Sequence, residues 1–165
     1  MHAAVAPIVE ILTLNNGFYA KAFEKLDDEM ARTQFAPDTS SITWLLAHLA
    51  TSRVQIGALM RLEQEIPWDG VFAHGIAEIT HDRIPILSDI KIVWGDISEA
   101  IMKRLPELEA GDLSAEPTSR FPTSENTALA ALAFLTQHEV YHLGQLSYIR
   151  RLLKEPGLFK LLFLR

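Results

Sequence analysis

The feature that most constrains the fold is a set of four long segments whose apolar residues recur at the spacing of one helix face. This pattern predicts helices over about residues 5–34, 41–65, 86–108 and 124–153. No segment has a convincing strand pattern. The chain has 165 residues, 48% of them hydrophobic, which suffices to bury a core without disulfides or a structural metal. The sequence therefore predicts an all-α four-helix bundle, in one domain covering residues 1–165.

The segments between these helices are rich in proline and glycine. Pro67–Pro85 has no clean period and predicts a long connection between the second and third helices, which would permit a crossover. Residues 112–123 predict a second loop, and Pro106 is expected to kink or shorten the third helix. The candidate N-caps are Ser40 or Ser41 for the second helix and Thr123 or Ser124 for the fourth.

The composition excludes several classes of function. Cysteine is absent, so thiolate zinc sites, disulfides and a cysteine nucleophile are excluded. The net charge of −6 lacks the basic footprint of nucleic-acid binding. No run of about 18 apolar residues indicates a membrane span. Met1–Ala20 contains no lysine or arginine, which argues against a secretory signal and favours the cytoplasm. The apolar tail, Leu158–Arg165, is expected to pack on its own bundle, with a dimer contact as the alternative.

Two histidines in the predicted fourth helix have the spacing of metal ligands. His138 and His142 lie one turn apart, so their Cβ atoms are roughly 5–6 Å apart on one face. Both rings can then reach one ion at the roughly 2.0–2.1 Å of zinc–nitrogen bonds. With Glu139 they also spell H-E-x-x-H, the zinc-peptidase signature in which the glutamate is the general base.

His48 is the candidate third ligand. It lies on the apolar face of the second helix, where an unpartnered imidazole would carry a desolvation cost. A hydrogen-bonded core histidine is the usual explanation for one such residue, but two further inward histidines on another helix favour a shared metal. Three buried histidines without a metal remain the alternative. The other histidines, His2, His74 and His81, are expected to be disordered or exposed.

The peptidase interpretation lacks a third ligand of its own. The extended motif requires histidine at position 148, which is Tyr148, and Gly144 comes one position early. The other form needs a glutamate on a following helix, and Glu155 belongs to the same predicted helix as the pair. Such peptidases also hold the substrate strand on a sheet edge, for which the chain offers no candidate.

Two segments together resemble a known family. Residues 44–53, WLLAHLATSR, and residues 138–146, HEVYHLGQL, are similar to the motifs of the DinB/YfiT-like superfamily of metalloenzymes. The resemblance extends over essentially the whole chain. It implies an up-down-down-up four-helix bundle with a long crossover between helices 2 and 3. It also implies a divalent metal, zinc or nickel, held by His48, His138 and His142.

The same resemblance suggests an activity and partners. Some similar proteins transfer a low-molecular-weight bacterial thiol, so a metal-dependent thiol S-transferase acting on small electrophiles is expected, and homodimers are suggested. A non-catalytic metal-binding stress-response protein is the alternative. Three polar residues near the histidines have open roles. Glu139 is expected to be solvated or to support the site, with a base for the metal-bound water as the alternative. Gln145 is expected to line the cavity or form an interfacial bond, and Asn15 is equally ambiguous.

Overall fold

The computed structural model describes residues 1–37, 39–68 and 85–163, and every regular element in these ranges is helical. The predicted all-α fold is thus confirmed. Most of the predicted connection Pro67–Pro85, including His74 and His81, lies outside the described residues. The elements are α1 (Ala6–Ala22), α2 (Asp28–Ala31), α3 (Ile42–Leu59), α4 (Leu87–Arg104), a 3₁₀ turn (Leu105–Glu107), α5 (Ala110–Ser114), α6 (Ala128–Leu152) and α7 (Leu158–Phe163).

The four long helices, α1, α3, α4 and α6, pack around two buried apolar clusters at opposite ends of the molecule. The upper cluster includes Ala22 of α1, Leu45 and Leu49 of α3, Ile90 and Trp94 of α4, and Leu143 and Leu146 of α6. The lower cluster includes Ile8 and Leu12 of α1, Ile56 of α3, Ile97 and Ile101 of α4, and Leu132 and Leu135 of α6. Helices α1 and α6 therefore run upward and α3 and α4 downward, which is the order up, down, down, up.

The prediction of one helix over residues 5–34 was wrong, because α1 ends at Ala22 and α2 is separate. The chain turns at Lys25, whose φ of 59° interrupts the helical backbone. Buried Arg150 of α6 stabilises this end by donating hydrogen bonds to the carbonyl oxygens of Ala22 (2.8 Å) and Glu24 (3.0 Å). Asp27 then caps α2 by accepting from the backbone N–H of Met30 at 2.8 Å.

Helix α3 begins as predicted but ends early. The Ser41 hydroxyl caps it by accepting from the backbone N–H of Trp44 at 3.1 Å. The helix ends at Leu59 and not near residue 65, since Arg61 adopts φ 62°. The N–H groups of Arg61 and Leu62 bond back into the last turn, which is a Schellman motif.

The boundaries of α4 and α6 also follow local chemistry. Helix α4 ends at Arg104, and Pro106 lies in the 3₁₀ turn that follows. The expectation that Pro106 shortens this helix is thus confirmed. Helix α6 starts at Ala128 and is capped by Thr127, so the predicted caps at Thr123 or Ser124 were wrong. These residues precede the helix in an irregular segment, within which the Thr123 hydroxyl donates to the Glu125 carbonyl.

The remaining short helices cover the bundle. Helix α5 is a single helical turn that starts at a capping box formed by Glu109 and Asp112. It occupies part of the predicted loop. Helix α7 packs on α1 and α6, with the Phe163 ring 5.9 Å from the Phe18 ring, so the described part of the tail does pack on its own bundle. Across the described ranges, we find no helix with both the length and the apolar character needed to cross a bilayer.

Candidate metal centre

The structure brings the three predicted histidines together between α3 and α6. His138 Nε2 lies 3.2 Å from His48 Nε2 and 3.0 Å from His142 Nε2. One nitrogen from each ring lies within 4.8 Å of the other two. The antiparallel packing of α3 and α6 produces this cluster, since His48 comes from one helix and the one-turn pair from the other.

The cluster is largely shielded from water, and this keeps the rings neutral. Burial, with a smaller electrostatic effect of His142 and His138, lowers the pKa of His48 from 6.5 to about 3. Burial and the charge of His142 lower the pKa of His138 to about 4. The pKa of His142 is lowered by burial and raised in part by its hydrogen bond to Gln145. Neutral imidazoles are the form that binds metals, so rings with lowered pKa values are suited to metal binding near pH 7.

Gln145 fixes the tautomer of one ring. Its amide oxygen lies 2.6 Å from His142 Nδ1 and accepts that proton, which leaves the lone pair on Nε2. The amide nitrogen of Gln145 donates to the hydroxyl of Tyr141 at 3.3 Å, which fixes the orientation of the amide. Metal-binding histidines commonly donate their second N–H to such an acceptor. Of the two roles predicted for Gln145, the structure shows it lining a cleft, while its hydrogen bonds lie within α6 and not across an interface.

Aromatic side chains pack against the other two rings. Trp44 stacks on His48 with ring centroids 4.9 Å apart. Phe134 stacks on His138 at 6.1 Å. Both contacts restrict rotation of the imidazoles, so the nitrogen atoms are held facing one another.

The donor set and two of the three nitrogen–nitrogen spacings fit a divalent ion such as zinc. Two ligands at about 2.0–2.1 Å from zinc are about 3.3 Å apart at a tetrahedral angle. The observed spacings of 3.0 and 3.2 Å are close to this value. Three neutral imidazoles would leave at least one coordination position for a water or a substrate, which is typical of catalytic and not of closed structural sites.

Glu139 is not directed at this cluster, and its side chain is completely buried in an ion pair. Its two oxygens accept from Nε (2.6 Å) and Nη2 (2.7 Å) of Arg53, and Asn15 Nδ2 donates to Oε2 at 3.0 Å. Burial raises the pKa of Glu139, and the charge of Arg53 and the hydrogen bonds oppose this shift. The expectation of a solvated Glu139 was therefore wrong, whereas a supporting role agrees with the geometry. As both oxygens are engaged, Glu139 is not placed to act as the base of a peptidase.

Arg53 was not predicted from the sequence as a partner of Glu139. A signal was present, because Arg53 is the one charged residue in the sequence from 42 to 60, and Glu139 is the one acid from 126 to 154. Isolated opposite charges on two helices that share a histidine cluster are candidates for a buried pair. Asn15, whose role was left open, proves to be the third member of this group.

Comparison with known proteins decides the family. A family model described as the DinB superfamily matches residues 18–146, a range that contains all three histidines. The chain belongs to the DinB superfamily. A conserved protein from Enterococcus faecalis, known from a crystal structure, aligns with this DinB-superfamily chain at a TM-score of 0.70 and 21% identity. The alignment covers 92% of this chain and 97% of that one, which shows that the two share a fold. The comparison with curated proteins gave no match.

Proposed function

We propose that this protein is a metal-dependent S-transferase, in which a divalent metal activates a low-molecular-weight thiol toward a small electrophile. The observation that carries the proposal is the cluster of three neutral imidazoles, whose ligand atoms lie within 4.8 Å of one another. His48, His138 and His142 would hold zinc or nickel. A bound divalent ion would lower the pKa of a thiol and so supply a nucleophile near pH 7.

In the reaction, the thiol sulfur would replace the leaving group of the electrophile. The thiol loses its proton to solvent, its sulfur forms a bond to the electrophilic carbon, and the leaving group departs with the bonding electrons. In this step the chain's residues would bind the metal and hold the ligand imidazoles in orientation. Gln145 keeps the His142 lone pair on Nε2, while Trp44 and Phe134 keep the other two rings in place.

A cleft whose wall includes Gln145, the hydrogen-bond partner of His142, is the space that we propose for the electrophile, although none of the three histidines lines it. Its volume is about 600 Å³, within the roughly 300–1,000 Å³ typical of small-molecule sites. Gln145 and Tyr141 form its wall nearest the histidines. The rest of the wall is largely apolar and includes Phe35, Leu45, Tyr148, Ile149 and Leu152, so an electrophile with an apolar or aromatic body would fit best.

Metal content tests the first half of the proposal. Protein purified without a histidine tag should contain a divalent metal by elemental analysis, and His48→Ala should lose most of it. Gln64→Ala, a change at a half-buried residue outside the cluster, is the matched control and should retain the metal. Equal metal content in wild type and His48→Ala would refute the ligand assignment.

Turnover tests the second half. Protein loaded with zinc, nickel, manganese or iron should consume thiol in the presence of small electrophiles, and His48→Ala should not. A protein that binds metal but shows no turnover with any metal and thiol would instead be a metal carrier. The burial of Glu139 favours this second candidate, because the acid nearest the ligands in sequence is unavailable as a base.

We also propose that the protein forms a homodimer through its exposed apolar surface on α1, α6 and α7. Three large apolar side chains there are 47–62% exposed and line one groove: Leu14, Val140 and Phe159. Contiguous exposed apolar surface of this kind marks interaction sites. Light scattering at two concentrations should give the mass of a dimer, and a monomer at both would refute this proposal.

A further inference from the structure

The buried pair Arg53–Glu139 is the centre of a contact network to which all four long helices contribute. The guanidinium carbon of Arg53 lies 4.1 Å from the centre of the Trp94 ring of α4. That ring stacks on Tyr19 of α1 at 3.5 Å and 6°. Asn15 of α1 donates to Glu139. The network therefore connects α1, α3, α4 and α6 at one level of the bundle.

This network is directly adjacent to the histidine cluster along both helices. Glu139 follows His138 in α6, and Arg53 follows His48 by five residues, about 7.5 Å along α3. The Tyr19 hydroxyl donates at 2.9 Å to the carbonyl of Leu46, two residues before His48. A shift of α3 along α6 would therefore break the ion pair and separate the histidines at the same time.

A buried ion pair contributes little net stability to a core, because removing two charges from water costs free energy. Both side chains are 0% exposed, and Arg53 Nη1 has no hydrogen-bond partner among the described residues. Replacing a buried ion pair by apolar residues of similar size is often neutral or stabilising. The surrounding contacts of α3 and α6 are mostly apolar and non-directional, so they specify the relative position of the helices weakly. The ion pair, in contrast, requires one alignment.

We propose that Arg53 and Glu139 are positioning residues, which fix α3 against α6 so that His48 Nε2 meets the nitrogen atoms of His138 and His142. The inference rests on the proposed metal centre for its effect on affinity, but its geometric part applies to the metal-free protein. It predicts that the ion pair contributes more to the geometry of the histidines than to the stability of the fold.

The decisive variant is Arg53→Met/Glu139→Leu, which replaces the pair by apolar side chains of similar volume. Two properties are measured beside the melting temperature. The first is magnetisation transfer between ring protons of His48 and His138 in the metal-free protein, whose Nε2 atoms lie 3.2 Å apart. The second is the Zn²⁺ affinity, from competition with a chromophoric chelator, together with the visible absorption of the Co²⁺ form.

We expect the double variant to melt at the wild-type temperature or above, to lose the ring-proton signal and to bind Zn²⁺ about 10–100-fold more weakly. Its Co²⁺ absorption should also change. A folded double variant with the wild-type signal and affinity would overturn the proposal. If wild type and His48→Ala bind Zn²⁺ equally, the proposed metal centre fails, and the ring-proton signal alone then decides the positioning role.

Arg150→Met is the matched control, because Arg150 is the other fully buried arginine of the described chain and bonds to backbone carbonyls far from the histidines. It should lower the melting temperature and leave the Zn²⁺ affinity unchanged. An equal loss of affinity in this control would show a general effect of destabilisation and overturn the proposal. If the double variant does not fold, Asn15→Ala removes only the bond to Glu139 Oε2. A weaker ring-proton signal would then support positioning, and an unchanged one would overturn it.

Discussion

Acidification of the metal-free protein should destabilise it through the histidine cluster. Burial lowers the pKa of His48 to about 3 and that of His138 to about 4, against 6.5 for each ring in the unfolded chain. Below about pH 6.5 the unfolded state therefore binds protons that the folded rings do not accept. Because the folded pKa values are depressed, stability decreases as the pH decreases, and the loss levels off once the folded rings protonate, His138 near pH 4 and His48 near pH 3.

The magnitude follows from the difference between the pH and the pKa of each unfolded ring, because the folded rings stay largely neutral down to about pH 5. A pH of about 5 is about 1.5 units below the unfolded pKa of 6.5, which corresponds to about 2 kcal/mol per ring. Both rings are partly exposed, which reduces this amount, so we expect a total loss of about 2–4 kcal/mol between pH 7 and pH 5. This is a large fraction of the roughly 5–15 kcal/mol by which domains are stable.

Urea denaturation in the presence of a chelator, at about pH 7, 6 and 5, measures this loss. The matched control is His48→Gln/His138→Gln, which removes both rings and keeps polar side chains of similar size. Glu139 keeps its ion pair with Arg53 in both proteins, so its contribution cancels in the difference. If the unfolding free energies of wild type and variant decrease in parallel, the rings do not carry the effect and the reasoning is refuted.

Three further changes have clear expected results. Gln145→Leu should weaken Zn²⁺ binding about tenfold, and ¹⁵N NMR should show the proton of His142 on Nε2 as well as Nδ1; an Nδ1 proton alone would contradict the role of Gln145. Arg150→Met should lower the unfolding free energy by about 2–4 kcal/mol, because buried carbonyls lose a charged donor, and a change below about 1 kcal/mol would argue against this cap. Gly144→Ala should raise stability by about 0.5–1 kcal/mol in denaturation of the monomer, since a Cβ there would meet nothing within 4 Å, and a loss would contradict that open space.

The sequence pattern predicted which faces are buried more reliably than where the helices end. The stripe of the first predicted helix continues past residue 22, because α2 also buries a residue, Ala31, against the bundle. The break near Lys25 depends on Arg150, which is 125 positions further along the chain and donates to the carbonyls that α1 leaves open. Periodicity describes burial, and it does not distinguish one helix from two that share a face.

The histidine cluster was predictable because each of its members stands in a recognisable pattern of the sequence. His138 and His142 have ligand spacing, and His48 is polar on an apolar face. The contacts of Gln145 and Asn15 were not predictable in detail, since each depends on a rotamer and on a neighbour that periodicity does not specify. Gln145 contacts its own helix, whereas Asn15 contacts a residue 124 positions away.

The geometry of antiparallel helices explains why the acid of H-E-x-x-H has a different role here. Glu139 lies about 100° around α6 from His138, and Arg53 lies about 140° around α3 from His48. On two antiparallel helices whose histidines face each other, rotations of the same sense lead to the same side of the interface, so these two charges meet. An arginine side chain also leans toward the N-terminus of its helix, which in α3 is the direction of the histidines. The glutamate is consequently neutralised and buried, and the same five letters that supply a base in a peptidase here supply two candidate metal ligands and one half of a buried ion pair.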